Sequence, residues 1–439
     1  MSDFQEQALR LASAQQGPDW LQSLRNEGAK QWQKYPWPNR KNELWKYTSL
    51  QSLQKQTFTQ WAQQNSDWQD QVKLVPLDAT RLVFVNGVFD SASSTEMPEG
   101  VCLFSKADSA AHVVIADKLG KILNTERHLF ASLSNAWAAE GVLVNIPGST
   151  ILEKPVYIVH VSTPQVEPSV ASHRILVVLG ATASAEVIEH YVSTPDSQNG
   201  FVNALTEIEV GQNAELRHTR ISLEQEDLLH IGGVHVNLQR NARFNGFTLA
   251  EGSQLKRIDY QVNHRGQGAE LRLNGVYLAR NNQLVDYHAN VEHCVSHCTT
   301  SEVFRGIIGD SAHAVFNGRI HIHPDAQKTL AELSNRNLLT SNKAEIDTKP
   351  ELEIYADDVK CAHGATISQL DANAMYYLQS RGISEQQARV MLSFGFINEL
   401  LQEIHQPEVQ EALRSHLSEL FAKSSSLIGA ATVSEAAVE

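Results

Sequence analysis

Cysteine is scarce in this chain, four in 439 residues, and so few exclude a disulfide framework as the basis of the fold. Basic residues are never massed. No run of Lys and Arg exceeds about two or three, and the net charge is −14, so the footprint of a nucleic-acid-binding protein is missing. No apolar run approaches the roughly 18 residues that a spanning helix needs, and no membrane association is expected. The opening MSDFQEQALRLASAQQ has no basic stretch followed by an apolar one, so no secretory leader is expected. The default is a cytoplasmic protein with reduced thiols. Catalytic signatures are missing too. There is no G-x-x-x-x-G-K-[ST] loop for a nucleotide, no G-x-S-x-G elbow and no H-E-x-x-H pair. The chain is therefore not expected to hydrolyse ATP itself.

What is present begins with helices. Leu9, Leu11, Ala12, Trp20, Leu21 and Leu24 recur at helical spacing over residues 3–34, and Pro18 splits the pattern into two helices. Pro36 and Pro38 mark a connector, in which Trp37, Trp45 and Tyr47 are expected to pin a loop to the body. From Arg81 the period becomes two. Asn86-Gly87 between short apolar runs predicts a hairpin. Residues 124–139 read as one further helix.

From Pro155 short strands alternate with polar turns, and a small pattern recurs: a turn, an alanine, then alternating apolar and polar residues. The aligned alanines are Ala185, Ala214, Ala242, Ala269, Ala312 and Ala344, with gaps of 29, 28, 27, 43 and 32 residues. A repeat of this length built only from strands predicts stacked coils, each burying its inner face on its neighbours. A parallel β-helix fits best. A propeller would need a blade signature that is absent, and a sandwich does not explain the turn–alanine phase.

Three stretches carry candidate chemistry. Residues 351–368, ELEIYADDVKCAHGATIS, read as an alternating strand that sets Cys361 and His363 on one face, next to a helical tail. A thiol beside an imidazole suits a soft metal or sulfur site. His293-Cys294-Val295-Ser296-His297-Cys298 looks like a metal motif, and His293, His297 and Cys298 are its secondary candidates. On a strand the two histidines and the two cysteines fall on opposite faces, which argues against a closed four-ligand zinc site. The 43-residue gap contains this segment and suggests a loop leaving the coil. His321 and His323 share a strand face, read as an exposed one. Asp357-Asp358 is the only adjacent acidic pair in the late coils that a polysaccharide-cleaving enzyme could use.

Three C-terminal helices are expected. Asp371 caps the first, Gly382 ends it, and Ser384 with Gln387 forms a capping box for the second. Met391, Leu392, Phe396 and Leu400 lie on one face of the second helix. That stripe is expected either to pack on its own domain or to dock a partner.

EIDTKPELEIYADDVKCAHGATIS followed by YYLQSRGISEQQARVML resembles the C-terminal signature of the SufB/SufD family of scaffold subunits in Suf iron–sulfur cluster assembly. PWPNRKNELWKYTSL, LVFVNGVF and AVFNGRIHIHPDAQKT are similar as well. The resemblance is to the SufD side, because the equivalent SufB strand resembles V-E-H-E-A and lacks C-x-H-G-A-T. It implies a mainly β protein, a right-handed parallel β-helix core flanked by N-terminal and C-terminal helical regions. It also implies a non-catalytic subunit that pairs with SufB through a β-helix end and binds the ATPase SufC through the C-terminal helices. Cys361 and His363 would then face a nascent cluster or iron, transient and shared with the partner, and no permanently bound cofactor is expected. The expected organisation is an N-terminal helical region at 1–80, a β core at 81–366, a helical docking region at 367–422 and a disordered tail at 423–439. A homodimer of the isolated chain stays open. The rival readings are a secreted-type β-helix polysaccharide lyase or hydrolase and a standalone metal-binding protein built on the His/Cys segment.

Overall fold

The computed structural model describes residues 2–15, 17–60, 67–125, 127–423 and 427. Its frame is a parallel β-solenoid of about 8 turns. Each coil gives one strand to each of two sheets. The first sheet stacks Val142–Ile146, Ser169–Leu179, Gly200–Val210, Leu229–Leu238, Leu255–His264, Leu284–His293, His313–Ile322 and Glu345–Ile354. The second stacks Val156–Ser162, Ser184–Ser193, Glu215–Leu223, Arg243–Glu251, Glu270–Ala279, Thr299–Ile308, Leu330–Leu339 and Lys360–Ser368.

Alternation assigns the faces. In Leu229–Leu238, Val234, Val236 and Leu238 enter the solenoid interior, whereas Leu229 and Ile231 point outward. Both sets are apolar because the outer faces are covered as well, which turns alternation into a nearly continuous apolar run. The N-terminal helices Asp3–Ala14 and Gln22–Lys34, with Leu129–Ala136, lay Phe4, Trp32, Phe130 and Trp137 over Phe201, Leu229 and Ile231 of the first sheet. The C-terminal helices Glu385–Leu401 and Pro407–Lys423 lay Ile397, Leu401, Val409, Leu413 and Leu417 over Ile221, Phe247, Leu249, Val276 and Ile307 of the second.

The helix break at Pro18, the hairpin at Asn86-Gly87 and the capping box at Ser384 all form as expected. Trp45 is buried, with the Arg257 guanidinium 3.9 Å above its ring. Thr48 Oγ1 donates to Asp286 at 2.5 Å, so the connector is pinned as read. The helix expected at 124–139 contracts to Leu129–Ala136, and a further helix, Ser109–Lys118, forms on an Asp108 cap. Both lie within residues 81–366, and Ser109–Lys118 was not read from the sequence. The expected disordered tail at 423–439 falls outside the described residues, apart from Lys423 in the last helix and Leu427. Among the described residues no helix is long and apolar enough to cross a membrane.

The coil corner corrects the repeat. Strand register aligns Ala183, Ala214, Ala242, Ala269 and Cys298, each just before a strand of the second sheet. Ala185 is two residues out of phase, and Ala312 and Ala344 belong to the first sheet. The 43-residue gap came from crossing between sheets. The His/Cys segment is accordingly not a loop leaving the coil, because Cys298 occupies the alanine position of an ordinary corner. Immediately before that column stand Thr182, Asn213, Asn241, Gly268, His297 and Lys328, all with φ between 53° and 71°. Glycine and asparagine adopt this left-handed conformation more readily than histidine does. His297→Asn is therefore expected to raise the denaturant midpoint, by up to about 1 kcal/mol. A lowered midpoint would contradict a purely conformational role for His297.

Candidate functional site at the open end of the solenoid

The stretch 351–368, read as one strand, is two. Glu345–Ile354 ends the first sheet, Lys360–Ser368 ends the second, and a bend at 355–359 joins them. Lys360–Ser368 pairs on one side only, with Leu330–Leu339. The register sets Cys361 beside Ala331 and His363 beside Leu333. Ala331 and Leu333 belong to the interior core. Cys361 and His363 therefore do share one face, and it is the inner one. Among the described residues no further coil covers them, so Cys361 is half-buried against the core and His363 is exposed. Burial pushes the Cys361 thiol up, opposed by a bond from the Ala331 backbone, so the thiol is protonated at neutral pH in the isolated chain.

The rest of this end suits an unfinished stack. Pro350, which has no N–H to offer, sits in the last strand of the first sheet opposite Gly318, a position that edge strands tolerate. Ile354, Tyr355 and Ile367 stand exposed on the last strands and their bend. Beneath them is a satisfied polar cluster: Asn335 Nδ2 donates to Tyr277 Oη at 2.9 Å, Asn337 Nδ2 to Asn335 Oδ1 at 2.6 Å, and Thr348 Oγ1 to Asn335 Oδ1 at 2.8 Å.

The secondary candidates separate. His293 and Cys298 are fully buried inside the solenoid, His297 is an exposed corner residue, and Cys294 is half-buried with Arg265 3.8 Å from its sulfur. The structure joins His293 and Cys298 not to His297 but to His264 of the preceding coil. His321 and His323 lie on the outer face, both against the Glu292 carboxylate at 2.7 and 2.8 Å, while Arg319 holds its other oxygen at 2.6 Å. Asp358 of the acidic pair is engaged by Lys328.

The stripe on the second C-terminal helix is rotated from its expected setting. Leu400 is 4% exposed and faces the second sheet, Leu392 and Phe396 are half-buried, and Met391 is 51% exposed. Arg305 fixes this face by donating to the Phe396 carbonyl at 2.6 Å and to Glu399 at 2.5 Å. The uncovered side carries Met391, and the preceding helix Ala372–Ser380 buries nothing and exposes Tyr376 and Tyr377.

Sequence reading missed a charged network inside the early coils. Glu189 receives His218 at 2.7 Å, Arg220 at 2.8 Å, Thr206 at 2.6 Å and Tyr191 at 2.7 Å. Glu224 binds Lys256 at 2.7 Å and also His230. The signal lay in EVIEHYV and RHTRI, whose charges fall on the inward parity only once the register is known.

Residues 160–396 match the family model of the SufBD core domain of SUF-system FeS cluster assembly, and residues 3–158 match that of the SufBD protein N-terminal region. The chain thus belongs to the SufB/SufD family of iron–sulfur cluster assembly proteins. Within it, the chain is similar to the iron–sulfur cluster assembly protein SufD of Escherichia coli, at 31% identity over 87% of this chain and 89% of that one. A SufBD family protein of Synechocystis is 31% identical over 87% of both chains. SufD of Bacillus subtilis is 25% identical over 94% of this chain and 97% of its own.

The interior network makes the fold acid-sensitive. Burial raises the Glu189 carboxyl, but Arg220 and His218 outweigh it and hold the group down to about 2. Its stabilisation is complete above the unfolded value of ~4.3 and is lost as pH falls towards 2. Burial pushes His128, His190 and His293 down to about 4. They stay neutral while unfolded histidines protonate near ~6.5, so stability falls from there downward. Glu302, buried and pushed up to about 8, acts in the opposite direction but is one group against several. The urea midpoint is expected to fall steadily from pH 7 to pH 4, and a flat or rising midpoint would contradict this. Arg220→Met, which strands the Glu189 charge, is expected to cost about 3–5 kcal/mol.

Proposed function

We propose that the chain is a non-catalytic scaffold subunit of a cytoplasmic Suf complex. It joins a SufB subunit at its last coil and contributes Cys361 and His363 to a shared interface where a cluster is built. Iron and sulfide are cargo there, held in transit. One observation carries this reading: both side chains stand on the inner face of a strand that pairs on one side only. An exposed edge strand is a template for another chain. A partner strand laid on Lys360–Ser368 would continue the ladder and close a wall over both side chains. One sulfur and one imidazole nitrogen are half of a tetrahedral iron site. The remaining ligands come from the partner, and the Cys361 proton leaves as metal binds.

The ATPase is supplied by SufC, docked on the uncovered side of the C-terminal helices. Tyr376, Tyr377 and Met391 are exposed there, with Leu392 and Phe396 at the border. Leu400 serves the chain's own packing. In the absence of SufB the same edge offers itself to a second copy, which makes a homodimer of the isolated chain the companion reading.

Co-expression with SufB and SufC tests both surfaces. Cys361→Ser and His363→Ala are expected to leave the three-chain complex intact and to lower cluster yield about 10-fold or more. Wild-type yield in both variants would refute the site. Replacing Tyr376, Tyr377 and Met391 together by Ala, Ala and Glu is expected to release SufC while SufB pairing and helix content persist. Retention of SufC would refute the docking face. Surface substitution is the cleaner test, because deleting the helices would bare the apolar outer face of the second sheet.

A further inference from the structure

Three apolar columns of the solenoid interior are interrupted at one place. The inner column at the end of the first sheet's strands runs Leu238, His264, His293, Ile322. Aliphatic side chains fill it everywhere except the middle, where two imidazoles stack with ring centroids 4.2 Å apart and planes 13° from parallel. The corner column runs Ala183, Ala214, Ala242, Ala269 and then Cys298. The first inner position of the second sheet's strands holds Leu271 and then Thr300. A donor atom from each of His264, His293 and Cys298 lies within 4.8 Å of the others, and all three residues are fully buried.

The hydrogen bonding of this cluster is incomplete. Thr300 Oγ1 lies 3.0 Å from His264 Nε2 and 2.9 Å from His293 Nε2. Nδ1 of both rings is buried without a well-formed hydrogen bond among the described residues, the Ala269 backbone being the nearest polar neighbour of the His264 ring. The Cys298 sulfur lies 3.5 Å from the Gly266 and Ser296 carbonyls and also meets the backbone of Gly268 and Ala269. Buried polar atoms are ordinarily satisfied. With both Nε2 atoms protonated, the Thr300 hydroxyl accepts from each ring and each ring keeps a lone pair on Nδ1, the outer-shell arrangement that histidine ligands use. Glu302, two residues along the same inner face, is buried and its carboxyl oxygens have no hydrogen-bond partner among the described residues.

We propose that His264, His293 and Cys298 hold one borderline or soft divalent cation of the zinc class inside the solenoid. Two imidazole nitrogens and a thiolate select such an ion over hard, oxygen-seeking cations. The site is sealed, so the ion enters while the coils close and Cys298 gives up its proton then. This ion is structural and resident, unlike the cargo at Cys361 and His363, and its ligand set takes His264 in place of His297. The site does not depend on any partner, so it stands or falls separately from the scaffold reading.

The test is refolding of the full chain with Co2+ or with Zn2+, followed by desalting. The expected result is about one metal per chain, a thiolate-to-cobalt absorption band, and an unfolding midpoint raised by the metal. Cys298→Ala and His293→Leu use residues that their own columns already contain, so both are expected to fold with unchanged far-UV dichroism. Both are expected to lose the metal, the band and the metal-dependent shift. His264→Leu provides a second test of the column should either variant misfold. His297→Asn, Cys294→Ala and Cys361→Ser are expected to retain all three signals. The proposal is overturned if the wild type retains no more metal than Cys298→Ala, or if the metal survives Cys298→Ala and His293→Leu.

Discussion

A stack of parallel coils satisfies its backbone only by adding another coil. Every strand between the ends bonds to the coil before and the coil after, and the constraint reappears wherever the stack stops. At the first end it is met from within. Val101–Leu103 pairs antiparallel with Val142–Ile146, and Thr80–Val85 turns back through its hairpin on Val88–Phe89. At the last end it is not met. Among the described residues, Glu345–Ile354 and Lys360–Ser368 each keep one free edge. The register that buries Ala331 and Leu333 carries Cys361 and His363 out at that edge, so a side-chain column that means core inside the solenoid means accessible surface at its mouth.

The flanking helices follow from the same geometry. Two sheets expose two outer faces, and strands this apolar on both sides cannot leave either face to water. The N-terminal helices cover the first sheet and the C-terminal helices the second. Any surface those helices offer to another protein is what remains after that coverage, which is why Leu400 is spent on packing and Met391 is not.

Polar groups inside the solenoid obey one rule with two outcomes. Glu189 and Glu224 are matched by Arg220, Lys256 and two histidines within the protein itself, so both carboxylates are paired, although Arg220 Nε and His218 Nδ1 make no hydrogen bond among the described residues. The cluster of His264, His293 and Cys298 has donors left over, as does Glu302. A buried charge or lone pair is retained only where something completes it, and the two clusters differ in whether that completion comes from the chain.

Local chemistry was legible in the sequence. The Pro18 break, the Asn86-Gly87 hairpin and the Ser384 capping box depend on neighbours a few residues away and formed as read. So did the shared face of Cys361 and His363, because strand parity needs only a spacing of two. The repeat itself was legible as a repeat of strands. Its phase was not, because two sheets with similar corners allowed Ala312 and Ala344 to be counted into the wrong column, and Cys298 went unrecognised as a replacement for alanine. Residues from different coils meet only after the register is set. That is why His264 was not joined to His293 and Cys298, why the charges of EVIEHYV and RHTRI did not read as an interior network, and why the helix stripe could not be divided into its packed and uncovered parts. The sequence by itself determined which elements form and which chemistry they carry. The tertiary structure decided which of those groups are sealed inside, which are matched, and which stand at an open edge, because inside and outside are properties of stacking and not of any single strand.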